Sequence, residues 1–276
     1  MRVDYHIHSE FSHDSTYPAE QILQDAIEAG LDEVCITDHV DYGVKDDWDC
    51  GHPFVIRGGY QMYNVNYPVY MKRLRQLQQK YAGRIALRIG MEYGVQTHTI
   101  PQYEALYDKY PLDFILLSIH QVDNLEFWTQ DFQRGRTQKE YNERYYDELL
   151  QVVRRFKHYS VLAHLDLIVR YDRQGVYPFR LIEPVIREIL KTVIEDGKGI
   201  ELNTSSHRYH LRDTTPSVPI LKLYHKLGGD IITIGSDTHR PGQIGKYSDE
   251  SRELLKSLGF RYFSTFEDMT PIMHPL

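Results

Sequence analysis

The chain of 276 residues has few of the features that mark a membrane protein or a disulfide-stabilised domain. No apolar run approaches the roughly 20 residues of a membrane span, and no basic segment followed by an apolar one opens the chain. It contains only two cysteines, Cys35 in an apolar segment and Cys50 in a polar one. These two form no metal-type pair. We therefore expect a soluble cytoplasmic protein without a disulfide or a membrane contact.

The sequence also lacks an excess of positive charge. Lys and Arg total 32 against 39 Asp and Glu, so the formal net charge is -7. This balance disfavours a nucleic-acid-binding protein that works by bulk electrostatics, and we expect no nucleic acid as a partner. It is compatible with metal cations and with a substrate that carries positive charge. The sequence does not indicate an oligomeric state.

What the chain does contain is a regular alternation of short apolar segments with longer helical ones. Seven segments are predicted as strands, namely residues 2–8, 33–39, 85–94, 113–120, 160–166, 200–206 and 230–239. This alternation predicts a parallel sheet with right-handed crossovers. No glycine-rich dinucleotide loop follows the first strand, and polar residues end at least six strands, which favours a barrel over an open sheet. We find no linker or repeat, so we predict one α/β domain over residues 1–276.

Histidines and carboxylates recur at the C-terminal ends of the predicted strands. His6 and His8 come first, and alternation along a strand gives them the same face. The later strand ends carry more such residues, namely Asp38, His39, Glu92, His120, His164, Asp237 and His239. In a parallel barrel these ends meet at one mouth, and scattered core histidines would not repeatedly select it. The pattern therefore predicts a metal site.

The number of these side chains is too large for one ion. A catalytic zinc takes three protein ligands plus water, so we expect two or three divalent ions. The mixed nitrogen and oxygen donors accept Zn, Mn or Fe. Two ions about 3.5–4 Å apart, bridged by a carboxylate, are the usual clamp for phosphoryl chemistry. A water held between them loses a proton near neutral pH, so we expect the bridging hydroxide to attack phosphorus in line.

These strand-end motifs resemble those of the polymerase-and-histidinol-phosphatase (PHP) superfamily. The motifs are His6-x-His8, Thr37-Asp38-His39, Gly90-Met91-Glu92, Ser118-Ile119-His120, Ala163-His164-Leu165-Asp166 and Ser236-Asp237-Thr238-His239. They occur in order from residue 3 to residue 240. The chain length and the run from Glu201 to Ser206 resemble the monofunctional histidinol-phosphate phosphatase branch. The resemblance implies a distorted seven-stranded (β/α) TIM-like barrel that hydrolyses L-histidinol phosphate to L-histidinol and phosphate in histidine biosynthesis.

The resemblance also implies how the ligands divide among three ions. The first ion takes His6, His8, Glu92 and Asp237. The second shares Glu92 and takes His120 and His164. The third takes His39, His239 and one residue of the loop after the first strand, where His13 and Asp14 are both available. Related sequences place this ligand six residues after the second histidine, which favours Asp14.

Two arginines that follow barrel strands are candidates to bind phosphate. Arg170 and Arg208 each offer a guanidinium fork that matches phosphate oxygens, although a surface salt bridge is the alternative for both. Ser206 and His207 are expected to add hydrogen bonds to the phosphate. Asp166, two residues after His164, would share its face and act as a general acid or orient ligands. Asp38 alternates to the other face and would support the ligands or pack.

Two long connections, residues 41–59 and 121–136, are candidates for substrate-binding lids. The first is acidic and carries Trp48, and the second carries Phe127 and Trp128. Both would suit the cationic amine of histidinol phosphate, but solvated surface insertions are the alternative. Two other functions stay open at this stage. One is a PHP phosphoesterase acting on nucleotides or another small phosphate ester, and the other is a non-catalytic metal-binding domain.

Overall fold

A parallel barrel forms the centre of the computed structural model, which describes residues 1–52 and 54–276. The barrel strands of the described chain are β1 (Val3–Ile7), β2 (Glu33–Ile36), β3 (Ala86–Gly94), β4 (Phe114–Ser118), β5 (Val161–Leu162), β6 (Gly199–Asn203) and β7 (Ile232–Gly235). Each strand pairs in parallel with the next one along the chain. A parallel bridge between Ile7 and Thr238 brings the two ends of the sheet together. The prediction of a seven-stranded TIM-like barrel is confirmed.

Helices cover the outside of the barrel. The described α-helices are α1 (Ala19–Glu28), α2 (Tyr67–Tyr81), α3 (Ile100–Tyr107), α4 (Gln138–Arg155), α5 (Ile168–Tyr171), α6 (Phe179–Glu195), α7 (Val218–Lys226) and α8 (Ser248–Ser257). Helix α6 buries Ile182, Ile186, Ile189 and Leu190, the spacing of one helical face. Thr137 caps the N-terminus of α4 and forms a capping box with Glu140. Among the described residues, no helix is both long and apolar enough to cross a membrane.

The first long connection is more ordered than the sequence suggests. Helix α2 begins only at Tyr67. The Asn66 side chain accepts a hydrogen bond from the Val69 amide and so caps the helix there. The residues before it form an antiparallel hairpin of Val55–Arg57 and Tyr60–Met62. This hairpin packs toward the second long connection, since the rings of Tyr60 and Trp128 lie 5.7 Å apart.

A second hairpin closes the barrel at the N-terminal ends of its strands. It consists of Tyr262–Glu267 and Thr270–Pro275. Phe263 and Phe266 join an apolar cluster that includes Tyr5 and Phe114. The Phe266 amide donates to the Tyr5 hydroxyl at 2.9 Å. The opposite end of the barrel, where the strands finish, is left for polar residues.

Candidate metal centre

The C-terminal mouth of the barrel gathers all nine side chains that the sequence predicted as ligands. Seven of them line one cavity, namely Asp14, His39, Glu92, His120, His164, Asp237 and His239. His6 and His8 lie beneath it and are fully buried. The register between β1 and β2 shifts between Asp4 and Ile7, an irregularity of the kind found beside active sites. His39 begins a short extension, His39–Val40, that pairs with β3 and puts it beside Glu92.

Four of these side chains converge on one point at the base of the cavity. The Nε2 atoms of His6 and His8 lie 3.3 and 3.4 Å from Glu92 Oε2. They lie 3.8 and 3.5 Å from Asp237 Oδ1. Ligand bonds of about 2.0–2.2 Å at tetrahedral angles put neighbouring donor atoms about 3.3–3.6 Å apart, so this set fits one ion.

Three buried polar atoms without hydrogen-bond partners in the described part of the chain support an ion at this point. His6 Nε2, His8 Nε2 and Glu92 Oε2 are all buried, and none has a hydrogen-bond partner among the described residues. Buried polar atoms normally have hydrogen-bond partners. These three atoms face one another at the spacing of metal ligands, so a bound cation would give each of them a partner. The donor chemistry, imidazole with carboxylate, suits a divalent first-row metal.

A second set of donors meets the other oxygen of Glu92. His120 Nε2 lies 3.1 Å and His164 Nε2 lies 2.8 Å from Glu92 Oε1, slightly closer than ligands of one ion. The two carboxylate oxygens of Glu92 therefore face two different groups of histidines. This is the geometry required of a carboxylate that bridges two ions.

The third set forms around Asp14. Its Oδ2 atom lies 3.5 Å from His39 Nε2 and 3.2 Å from His239 Nε2. His13 also borders the cavity, but its ring centroid is 6.1 Å from that of His39. Of the two loop residues that the sequence left open, Asp14 is the one that both histidines approach. His39 Nδ1 also lies 3.0 Å from Glu92 Oε2 without forming a hydrogen bond, so the His39 ring lies between two of the sets.

The electrostatics of the site keep the carboxylate charged and one imidazole neutral. Burial alone would raise the pKa of Glu92, but the charges of His6, His120 and His39 outweigh it and hold the pKa well below its ordinary value. Burial, together with the neighbouring His239 and His39, lowers the pKa of His8 well below its ordinary value. Carboxylate and neutral imidazole are the forms that bind metal ions.

Two buried carboxylates that the sequence did not single out hold ligand rings in place. Glu201 Oε1 lies 2.6 Å from His6 Nδ1, and Asp41 Oδ1 lies 2.7 Å from His120 Nδ1. Such partners fix the ring orientation and the tautomer of a metal-binding histidine. The signal for Asp41 was present, because it stands two residues after His39 on an extended segment. Nothing in the sequence paired Glu201 with His6.

Asp38 fastens the loop that follows β1. It accepts hydrogen bonds from the Ser9 amide at 2.7 Å and from the Ser9 and Ser12 hydroxyls, both at 2.6 Å. The Ser12 hydroxyl also lies 3.3 Å from His8 Nδ1. Asp38 therefore belongs to the support of the site rather than to a donor set, in agreement with its position on the opposite face.

The two candidate arginines occupy different positions. Arg170 lines the cavity, stacks on the ring of Tyr209 at 4.1 Å, and donates to Ser205 Oγ at 2.6 Å and Asp237 Oδ2 at 3.1 Å. Its Nε is buried without a partner in the described chain. Arg208 instead donates to the backbone carbonyls of Ser236 and Asp237, both at 2.6 Å. Asp237 has a left-handed backbone conformation with φ of 54°, and the hydrogen bonds from Arg208 stabilise that conformation.

Three other predicted residues lie elsewhere. Asp166 accepts from the Ser217 amide at 2.8 Å and lines a separate cavity, so the geometry does not support it as a general acid. Ser206 is buried outside the cavity lining, and His207 stacks on Tyr247 with centroids 4.0 Å apart. Residues 204–207 form a 3₁₀ turn that ends the strand alternation, and the serine beside Arg170 is Ser205.

The long connections contribute to the cavity only in part. Glu126, Phe127 and Trp128 line it, as do Lys45 from the first connection and Met62 from the hairpin. Trp48 lines a different cavity, so the expectation that it closes over the substrate is not supported. Lys45 forms an ion pair with Asp41, the carboxylate that orients His120. The two connections therefore form one wall of the centre.

Known proteins are similar to this chain over most of its length. The PHP domain family model matches residues 4–205. Histidinol-phosphatase of Lactococcus lactis subsp. lactis is 29% identical over 271 residues, which are 97% of this chain and 95% of that protein. A probable histidinol-phosphatase of Clostridium acetobutylicum is 30% identical over 253 residues, 89% of each chain.

Solved structures share the fold over almost the whole chain. The crystal structure of histidinol phosphate phosphatase from Lactococcus lactis subsp. lactis, complexed with Zn, L-histidinol and phosphate, has a TM-score of 0.82 at 27% identity and covers 98% of both chains. A putative histidinol phosphatase from Listeria monocytogenes has a TM-score of 0.75 at 20% identity, over 90% of this chain and 99% of that one, which is a likeness of fold. The chain described here belongs to the PHP domain family.

Proposed function

We propose that this chain is a metal-dependent phosphomonoesterase that hydrolyses L-histidinol phosphate to L-histidinol and inorganic phosphate. The observation that carries the proposal is that Arg170 lines the same cavity as Glu92 and Asp14, the two carboxylates around which the three donor sets form. The Lactococcus lactis relative, whose structure contains Zn, L-histidinol and phosphate, supports the choice of substrate. Zn is the proposed ion, with Mn and Fe compatible with the same donors.

In this proposal the nine ligands hold up to three divalent ions. When bound, such ions supply an activated water and neutralise charge on the phosphoryl oxygens. His6, His8 and Asp237 would hold one ion together with Glu92, and His120 and His164 would hold another on the second oxygen of Glu92. His39, His239 and Asp14 would hold the third.

Arg170 is the proposed phosphate-binding residue of the protein itself. Its guanidinium is fixed by the Tyr209 ring, Ser205 and Asp237, so it pays little conformational entropy when an anion arrives. The unpartnered Nε leaves a donor for a phosphoryl oxygen. Arg208 supports the same site indirectly, through the backbone of Asp237.

A second carboxylate in the same cavity, Glu126, supports a substrate with a cationic head group. Glu126 lines the cavity, is almost fully buried, and has an Oε1 atom without a partner in the described residues. Burial and the nearby charge of Asp41 raise the pKa of Glu126 to about 7. An ammonium group would relieve both effects by pairing with this carboxylate. Phe127 and Trp128 beside it offer aromatic surface for an imidazole ring.

The deciding experiment is phosphate release from a panel of phosphate esters by the zinc-loaded protein. The panel holds L-histidinol phosphate, a nucleoside monophosphate, a sugar phosphate and p-nitrophenyl phosphate. We expect the highest kcat/KM with L-histidinol phosphate, because only this ester carries a cationic amine toward Glu126. Equal or better turnover of a nucleotide would replace the proposal with a broader phosphoesterase. No release from any ester would instead favour a non-catalytic metal-binding domain.

A further inference from the structure

A second group of metal-binding side chains lies in the first long connection, outside the centre described above. Asp46, Cys50 and His52 bring a carboxylate, a thiol and an imidazole to within 4.8 Å of one another. All three residues are exposed, and none of them lines the cavity of the barrel mouth. They therefore need an explanation separate from the proposed phosphatase reaction.

Two of the three donor separations are close to the edge lengths of a metal coordination shell. His52 Nε2 lies 3.5 Å from Asp46 Oδ2, and Cys50 Sγ lies 3.8 Å from His52 Nε2 and 3.6 Å from His52 Nδ1. Around a tetrahedral zinc, with bonds of about 2.0–2.2 Å to nitrogen or oxygen and about 2.3 Å to sulfur, these atom pairs would lie about 3.3–3.6 Å apart. The three donor atoms lie within 4.8 Å of one another, and rotation of the Cys50 or His52 side chain would have to aim the thiol and Nε2 at the same ion.

The local backbone explains why these three residues meet. The Cys50 amide donates to the Asp47 carbonyl at 3.1 Å and forms a turn, and Gly51 follows with φ of 95°. That left-handed conformation suits glycine and returns the chain so that His52 faces Cys50. At the other side of the turn, the Asp46 carbonyl accepts from the buried Asn64 amide at 3.2 Å, which anchors the first donor to the fold.

We propose that Asp46, Cys50 and His52 form a second zinc site, with three protein ligands and a water in the fourth position. A thiol with an imidazole and a carboxylate is a donor set that favours Zn²⁺ over Mg²⁺ or Ca²⁺. On binding, the Cys50 thiol loses its proton to solvent and gives up its hydrogen bond to the His52 carbonyl. The side chains are exposed and must be ordered by the ion, so this site binds zinc less tightly than the buried centre.

The site would fasten a segment that continues directly into the wall of the catalytic cavity. Lys45 precedes Asp46 and forms the ion pair with Asp41, which in turn orients His120. Lys45 also lines both the cavity of the centre and the neighbouring cavity that contains Cys50. A zinc ion on Asp46 would therefore restrict the loop without sharing any ligand with the centre.

Cobalt substitution tests the site with a signal that the barrel centre cannot produce. The chain has two cysteines, and Cys35 is fully buried in the barrel, while the proposed centre has only nitrogen and oxygen donors. A thiolate-to-cobalt charge-transfer band in the near ultraviolet therefore reports on Cys50. We expect metal-free, reduced protein titrated with Co²⁺ to develop this band, saturating at one sulfur-bound ion per chain.

The variants make the outcome specific. Cys50→Ser should abolish the band and lower the zinc content of the protein by one ion, and His52→Ala and Asp46→Asn should weaken the band. Asp49→Asn, an acidic residue of the same loop outside the cluster, is the matched control and should leave it unchanged. Hydrolysis of phosphate esters at saturating zinc should survive Cys50→Ser. The proposal is wrong if no sulfur band forms, or if the band or the full zinc content persists in Cys50→Ser.

Discussion

The Oε1 atom of Glu201 lies 2.6 Å from Nδ1 of His6, and both side chains are fully buried. The other oxygen, Oε2, accepts a hydrogen bond from the His164 amide at 2.9 Å. One carboxylate on β6 thus orients a histidine of the first donor set and the backbone of a histidine of the second. Glu201 is therefore a positioning residue for both sets.

Glu201→Gln should weaken zinc binding without removing a ligand. The glutamine side chain is close in size to that of Glu201 but lacks the negative charge that favours the required tautomer of His6. Loss of such a partner typically lowers metal affinity by about 10- to 100-fold. Competition with a chromophoric chelator measures the change. Glu195→Gln, at an exposed position at the end of α6, is the control. Unchanged zinc affinity in Glu201→Gln would show that the contact does not support the ligand.

Arg170→Ala should lower kcat/KM for L-histidinol phosphate by about 10- to 150-fold. This is the range that corresponds to losing a hydrogen bond to a charged group, about 1.5–3 kcal/mol.

Arg208→Ala should act differently, because the Arg208 guanidinium holds the Ser236 and Asp237 carbonyls. We expect it to lower zinc affinity and melting temperature first. Steady-state kinetics at saturating zinc, with phosphate inhibition constants, separate the two roles. Equal inhibition by phosphate in Arg170→Ala and the parent protein would argue against phosphate binding there.

Glu126→Gln should discriminate between substrates rather than reduce all turnover. KM for L-histidinol phosphate should rise roughly tenfold or more, because the ammonium group loses a buried charged partner. KM for p-nitrophenyl phosphate, which has no amine, should change little. Asp131→Asn lies in the same connection but pairs with Arg134 at 2.9 Å, so it serves as the control. An equal rise in both KM values would mean that Glu126 shapes the cavity without recognising the cation.

Asp166 makes the stability of the fold depend on pH. Burial raises its pKa from 3.8 to about 7, so the folded protein keeps the proton over a range in which the unfolded chain has lost it. The contribution of protonated Asp166 to the free energy of unfolding is therefore present below about pH 4 and is lost as the pH rises through about 7. In Asp166→Asn this dependence should disappear, while the side chain still accepts from Ser217.

Denaturant unfolding of the two proteins in the same metal state measures this effect. We expect similar stability near pH 4 and an advantage for Asp166→Asn of up to about 4 kcal/mol above pH 8, from about three pKa units at 1.36 kcal/mol each. Turnover should be retained, since Asp166 lies outside the cavity of the centre. A loss of kcat by about 10²-fold or more would restore the prediction of a general acid.

Strand periodicity predicted the barrel, and the predicted ligands lie together at its mouth because the C-terminal ends of parallel strands meet at one edge. The same periodicity gave a wrong prediction for residues where the backbone no longer continues the strand. Strand β5 ends at Leu162, and His164 has a φ of 21°, so Asp166 does not share the face of His164. The contact between Glu201 and His6 depends on how β6 and β1 approach across the barrel, which spacing within one strand cannot reveal.

The two carboxylate oxygens of Glu92 would couple the binding of one ion to the binding of the next. Because Oε2 faces the first donor set and Oε1 the second, each ion would alter the charge and orientation of a ligand that its neighbour needs. Binding of the ions is then linked, and the coupling must act equally in both directions. If the first ion fixes Glu92 for the second, loading becomes cooperative. Protein supplied with too little zinc would then separate into filled and empty molecules, and activity would follow the filled fraction.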